Sequence, residues 1–239
     1  MRLVLLSNST NHGGGYLEHA SYSIRALFGG ARRVAFVPFA IADQVGYWER
    51  ARAGLRDLGV DVVRVEEGAA AAATIASADA IFVGGGNTFR LLDRLQKARV
   101  VEAIRDRVRQ GIPYLGSSAG TVITAPTLQT TNDMPIVRPG SFRSLGLVPF
   151  QINCHYLDAD PGSTHMGETR EDRLMEYHEE NQAPVVGLRE GSWLEVESPG
   201  PRATASVTLC GPKTARLFRR GVEPVEIPPG VVPYSLLKP

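Results

Sequence analysis

Short apolar runs rich in Val, Ile and Phe recur through the first half of the chain, and longer segments with helical spacing separate them. Leu3 to Leu6, Val34 to Phe39, Val60 to Val65, Ala80 to Val83 and Tyr114 to Leu115 predict buried strands. Tyr16 to Phe28, Gln44 to Leu58, Ala69 to Ala76 and Thr88 to Gln110 predict helices, the last broken near Ala98. Near-continuous apolar strands alternating with helices imply an α/β fold, with a mostly parallel sheet covered by helices on both faces. Such sheets bind ligands at the carboxyl ends of their strands, where the loops collect.

The pattern changes after residue 125. Residues 126 to 168 are rich in Pro, Gly, Asn and Asp and predict loops, interrupted by one strand-like stretch at Gln151 to Tyr156. A polar helix is predicted around Thr169 to Asn181. Short strand candidates follow at Val185 to Leu188, Trp193 to Val196, Ala205 to Leu209 and Ala215 to Phe218. Gly and Pro between them predict antiparallel C-terminal hairpins at one edge of the sheet. No repeat and no linker-like stretch divides the chain, so residues 1–239 are expected to form a single α/β domain.

Composition narrows the class of function. The 26 basic and 25 acidic side chains leave a formal charge of +1, so no strong field directs the protein to nucleic acid or to an anionic membrane. The opening apolar run is too short for a signal peptide, and no run approaches the roughly 20 residues of a membrane span. With only two cysteines, Cys154 and Cys210, no disulfide framework is expected, and the reading is a reduced, cytoplasmic protein.

Candidate chemistry begins at Gly116-Ser117-Ser118-Ala119-Gly120, directly after an apolar strand. This has the Gly-x-Ser-x-Gly form of a sharp strand-to-helix turn that presents a serine hydroxyl at the top of a sheet. The motif places Ser118 at the turn and makes Ser117 the variable residue. The next amide, that of Ala119, opens a helix and is one candidate oxyanion donor. A second turn, Gly84-Gly85-Gly86-Asn87-Thr88, brings bare backbone to the same strand ends, with Asn87 as helix cap. It lacks the Lys-Ser or Lys-Thr of a phosphate-binding loop.

A serine nucleophile needs a base, and the base needs a carboxylate to orient it. Of the five histidines, His155 is favoured because a strand-like stretch delivers it to a loop. His178 is read as a solvated helix residue, and His12 and His165 as loop residues. Strand alternation turns Cys154 away from the site if His155 faces it. Asp133 and Glu190 compete as the acidic partner. Glu190 ends a strand candidate, and Asp133 lies in a loop able to shape the serine turn or bind substrate. The group His155, Asp158, Asp160 and His165 matches no zinc or calcium spacing, so no metal and no cofactor are expected.

Taken in order, several blocks resemble the peptidase E, or α-aspartyl dipeptidase, family of serine peptidases. They are Val83-Gly84-Gly85-Gly86-Asn87-Thr88-Phe89, Ser117-Ser118-Ala119-Gly120 and Thr130-Thr131-Asn132-Asp133-Met134-Pro135-Ile136-Val137. His155-Tyr156, Gly167-Glu168-Thr169-Arg170-Glu171 and Leu188-Arg189-Glu190-Gly191-Ser192-Trp193 complete the set. The resemblance implies a flavodoxin-like or class I glutamine amidotransferase-like sheet and removal of N-terminal aspartate from small peptides without metal. It implies Ser118 as nucleophile, His155 as base, and Asp133 or Glu190 as acidic partner. Gly86 and Ala119 would be the oxyanion amides, and Arg170 the group that recognises the substrate aspartate. The chain departs from the family pattern at Ser117, where tryptophan is common, and at Cys154, where proline is common. The partner expected is a small peptide with N-terminal Asp, and a homo-oligomer is compatible with the pattern. Rival readings are a cyanophycinase-like hydrolase, an esterase using the same turn, and a non-catalytic binding protein on the same fold.

Overall fold

Five strands from the first half pair in parallel: β1 (Arg2–Leu6), β2 (Arg33–Val37), β3 (Asp61–Arg64), β4 (Ala80–Val83) and β5 (Tyr114–Ser117). The computed structural model describes residues 1–162, 164, 166–200 and 205–238. Side chains alternate between two buried clusters. Leu3, Leu5, Ala35, Val37, Ile81 and Val83 enter one, and Val4, Leu6, Val34, Phe36, Ala80 and Phe82 enter the other. A strand apolar at every position is stable only if both faces are covered, and they are. Helices α1 (Ser21–Phe28) and α2 (Gln44–Gly54) cover one face. Helices α3 (Ala71–Ala76), α4 (Thr88–Lys97) and α5 (Val101–Arg109) cover the other. The expected break near Ala98 falls between α4 and α5, where Arg99 takes φ 56°.

The second half adds α6 (Ala119–Val122), β6 (Gln151–Cys154), α7 (Arg170–Glu180), β7 (Val185–Leu188), β8 (Trp193–Glu197), β9 (Ser206–Cys210), β10 (Ala215–Arg219), β11 (Val222–Ile227) and β12 (Gly230–Val232). Here the expected arrangement is corrected. The C-terminal strands do not share one edge but divide between two sheets. The large sheet runs β12-β9-β8-β1-β5-β4-β2-β3, with β8 and β9 antiparallel beside β1. The second runs β11-β10-β7-β6, with β6 and β7 parallel, and packs its inner residues Ile152, Cys154, Val186 and Leu217 into the same core. The short turn after Leu188 carries the chain from one sheet to the other, using Gly191 at φ 87°. Local apolar pattern says that a strand is buried, not which strand it pairs with. Strands β11 and β12 escape a search for apolar runs because they are largely exposed, and β11 carries Pro224 and two glutamates.

Among the described residues, no helix is long and apolar enough to cross a membrane. Cys154 and Cys210 are both free. The loops after β1, β2, β4 and β5 emerge at the same end of the sheet, and the ends of β6 and β7 meet them there.

Candidate active site

The turn after β5 is tight enough to hold its serine in an unusual conformation. Ser118 has φ 51° and ψ −111°, a region that non-glycine residues avoid. Its N–H donates to the Leu6 carbonyl at 3.0 Å, and its carbonyl accepts from Thr121 and Val122 at 2.8 and 2.9 Å. The flanking glycines have a steric reason. A β-carbon on Gly116 would lie 2.7 Å from the Gly120 carbonyl, and one on Gly120 would fall on the carbonyl of Val83. Ser117 borders the same cleft but is buried at 1% exposure, and among the described residues its hydroxyl has no partner. Only Ser118 is presented to the cleft's histidine.

Ser118 Oγ lies 2.7 Å from His155 Nε2. His155 Nδ1 lies 2.6 Å from Glu190 Oε1. An ionised carboxylate only accepts, so Nδ1 carries the proton and the Nε2 lone pair faces the serine. The second sheet creates this meeting. Cys154 and Leu188 are register partners on parallel β6 and β7, so the residues just past them leave the sheet side by side. His155 itself has φ 55°, and its N–H donates to Ser7 Oγ at 3.0 Å, while Ser7 donates on to the Leu188 carbonyl at 2.7 Å. Cys154 faces away from the cleft, 3% exposed, its thiol pushed up by burial.

Glu190 is supported from both sides. Asn8 Oδ1 accepts from Gly191 N–H at 2.8 Å. Arg189 forms a two-pronged pair with Asp158 at 2.6 and 2.9 Å, reaches both oxygens of Glu226 at 2.9 Å, and donates to the Thr214 carbonyl. Its guanidinium lies 5.3 Å from the centre of the Tyr156 ring, and the hydrogen bonds it donates to Asp158 and Glu226 hold its pKa above the ordinary arginine value.

Asp133 does something different. Its Oδ2 accepts from Thr88 N–H at 2.7 Å, Thr88 Oγ1 at 2.6 Å and Thr131 Oγ1 at 3.2 Å. It therefore pins the serine-side loop to the first turn of α4, where a negative charge also suits the helix dipole. Asn87 caps the same helix by accepting from Arg90 N–H at 3.0 Å. Just before it, Gly86 has φ 130°, and a β-carbon there would strike Ile41 and the Ala40 carbonyl. Among the described residues, the N–H groups of Gly86 and Ala119 donate to no protein acceptor. Both turns border the cleft that holds Ser118.

Arg170 starts α7 behind a capping box of Thr169 and Asp172. It is half-buried and, among the described residues, has no carboxylate within ion-pair distance. Burial lowers its pKa, Arg173 adds to that, and Asp133 opposes it. Around the serine is an open cleft of about 470 Å³. Its lining includes Asn8, Tyr47, Arg50, Gly86, Ser118, Asp133, His155 and Glu190. The sequence reading missed Ser7, Asn8, Tyr47 and Arg50. The first two immediately follow β1, a strand-end position that could have flagged them; Tyr47 and Arg50 lie within a helix and carried no such signal.

The remaining histidines are not part of this group. His178 is buried rather than solvated, a correction that follows from helical spacing, because it lies one turn beyond buried Leu174 on the inner face of α7. His12 is an exposed loop residue, and His165 lies outside the described residues. Among the described residues, no cluster of three or more His, Cys, Asp or Glu side chains is arranged to hold a metal ion.

Comparison with known proteins agrees on one family. The model of Peptidase family S51 matches residues 3–202. A Peptidase E of Streptomyces coelicolor is 58% identical over 230 residues, covering 96% of this chain and 92% of the relative. A probable alpha-aspartyl dipeptidase of Drosophila melanogaster is 45% identical over 220 residues, covering 91% and 89%. The fold is shared with the crystal structure of a peptidase from an acI-B1 Actinobacterium, at TM-score 0.72 and 16% identity, with 97% of this chain and 96% of that one covered.

Proposed function

Since this chain belongs to peptidase family S51 and is a serine-type peptidase, we propose that it removes N-terminal aspartate from dipeptides through an aspartyl-enzyme at Ser118. The observation that carries the reading is the continuous contact from Ser118 Oγ through the His155 ring to Glu190, at 2.7 and 2.6 Å. Such a chain lets the imidazole take a proton from the serine while the carboxylate holds the ring and stabilises its charge.

The reaction then has two halves. Ser118 Oγ attacks the carbonyl carbon of the substrate's first residue, and its proton passes to His155 Nε2. The carbonyl oxygen becomes an oxyanion facing the Gly86 and Ala119 amides, which are free to donate and need no reorganisation. As the C–N bond breaks, His155 returns the proton to the leaving amine. Water, deprotonated by the same nitrogen, attacks the ester, and aspartate leaves with Ser118 reprotonated. In this reading Glu190 orients His155, and Asp133 shapes the loop beside it.

Arg170 is the specificity group of the proposal. It is a half-buried cation without an ion-pair partner among the described residues, suited to the β-carboxylate of aspartate. The parallel part of the sheet, with its reversal of strand order at β2, also supports the flavodoxin-like or class I glutamine amidotransferase-like assignment. The common core of both sheets supports one peptidase domain.

Kinetics on Asp-Leu and Asn-Leu test the reading, because the two have the same shape and differ in charge. The wild type is expected to favour Asp-Leu strongly. In Arg170→Ala the preference collapses, chiefly through a loss on Asp-Leu of about 30-fold or more, the lower end for an unpaired desolvated charge. An unchanged Asp-to-Asn ratio would remove Arg170 from recognition, and failure to cleave either peptide would remove the dipeptidase reading.

A further inference from the structure

Helix α2 brings a cation, Arg50, into the lining of the cleft. Tyr47 points inward from α2, 6% exposed, and its hydroxyl accepts from Gly85 N–H at 2.7 Å. Arg50 is three residues further on, so it occupies the same helix face and lines the cleft together with Tyr47, Gly86 and Ser118. Its neighbour Arg52 takes another direction and stacks on Trp48 at 5.6 Å. Among the described residues, Arg50 has no carboxylate within ion-pair distance, so within the cleft its charge is available to a ligand.

The substrate class proposed above carries two carboxylates, one on the aspartate side chain and one at the C-terminus. Arg170 accounts for the first. We infer that Arg50 receives the second, the α-carboxylate of the leaving residue, and so favours dipeptides over longer or blocked substrates. This inference rests on the dipeptidase reading. The dimensions suit it. Ser118 follows β5, and α2 follows β2, two strands away across β4, which is roughly 10 Å at the usual strand spacing. A dipeptide's terminal carboxylate lies one residue beyond the scissile carbonyl, and each further residue would push it about 3.3–3.6 Å onward. A long, flexible arginine anchored on α2 can span the difference for one leaving residue. A second residue would carry the charge past it.

The test compares Asp-Leu with its C-terminal amide, Asp-Leu-NH2, in the wild type, Arg50→Ala and Arg50→Lys. Arg50 is exposed, so the expected preference for the free acid in kcat/KM is about 5- to 10-fold, between that of a surface ion pair and that of a hydrogen bond to a charged group. Arg50→Ala is expected to bring the ratio toward one, through a higher KM on Asp-Leu, and Arg50→Lys to keep most of it. Retention of the full ratio in Arg50→Ala would overturn the inference, as would equal cleavage of acid and amide by the wild type. Both of those results leave the dipeptidase reading standing. No turnover of either substrate by the wild type would overturn that reading and this one together.

Discussion

Replacing Glu190 by Gln removes one charge while keeping the side chain's size, and it isolates what the carboxylate does for His155. In the proposed acylation step the imidazole becomes an imidazolium beside Glu190. With charge centres about 4 Å apart, their attraction is worth about 1 kcal/mol in a water-like medium and about 4 kcal/mol at an effective dielectric constant of 20. The side chains of His155 and Glu190 are 39% and 52% exposed, which places this pair between those limits. A loss of about 2–3 kcal/mol follows, or roughly 30- to 150-fold in kcat. That is less than the ~10⁴-fold loss for a fully buried triad carboxylate, because water here shares the work of stabilising the ring. A glutamine amide can also turn its NH2 toward Nδ1 and favour the wrong tautomer, which deepens the loss. Steady-state kinetics on Asp-Leu, paired with thermal melts, decides the matter. Glu190→Gln is expected to lower kcat with little change in KM or Tm. Asp133→Asn is expected to behave differently, since it weakens a charged anchor on Thr88 and Thr131. Its cost is about 1–2 kcal/mol of stability, or roughly 2–8 °C in Tm for a chain of this size. If kcat in Glu190→Gln stayed within about threefold of wild type while Asp133→Asn lost far more, the orienting role would belong to Asp133.

Three further outcomes follow from the geometry. Ser118→Ala is expected to lose turnover on the order of a millionfold, and Ser118→Gly to lose it equally while raising stability by about 1 kcal/mol, because glycine tolerates the positive φ; equal Tm values for wild type and Ser118→Gly would show that the turn stores no strain. Thiol reagents at about pH 8 are expected to modify Cys210 slowly, its thiol pushed up to about 11 chiefly by burial, and to reach buried Cys154 only on unfolding; rapid loss of activity with Cys154 labelled would contradict the packing. Arg189→Met is expected to cost about 1–3 kcal/mol at neutral pH by removing the guanidinium from Asp158, Glu226 and Thr214. Arg189 holds both carboxyls below their usual range, so the stabilisation is present above about pH 4 and fades as pH falls through their folded values. Acid melts of wild type and Arg189→Met should therefore converge, and a gap that widened at low pH would refute the pairing.

Much of the first half could be read directly from the chain, because its strands are buried on both faces and its helices carry local caps. Leu3 to Leu6 or Ala80 to Val83 can be little else, and Asn87 marks the start of α4 by its own side chain. Gly116 and Gly120 around Ser118 announce a turn with no room for a β-carbon at either glycine, so the proposed nucleophile is legible for a steric reason. The acidic partner proposed for His155 is not. Asp133 lies in a loop 15 residues from the serine and Glu190 ends a strand candidate, and neither position by itself says which carboxylate meets His155. What separates them is the parallel register of β6 with β7, which sets the ends of two strands side by side and brings Glu190 to His155 across 35 positions. Register is set by which surfaces are buried together, a property of the assembled core rather than of either segment. The same holds for Arg50 and Ser7, ordinary polar residues until α2 and the end of β1 are packed around the cleft. Local pattern dictates the elements and the turns whose geometry is strained, and only the packed sheets decide which polar side chains meet.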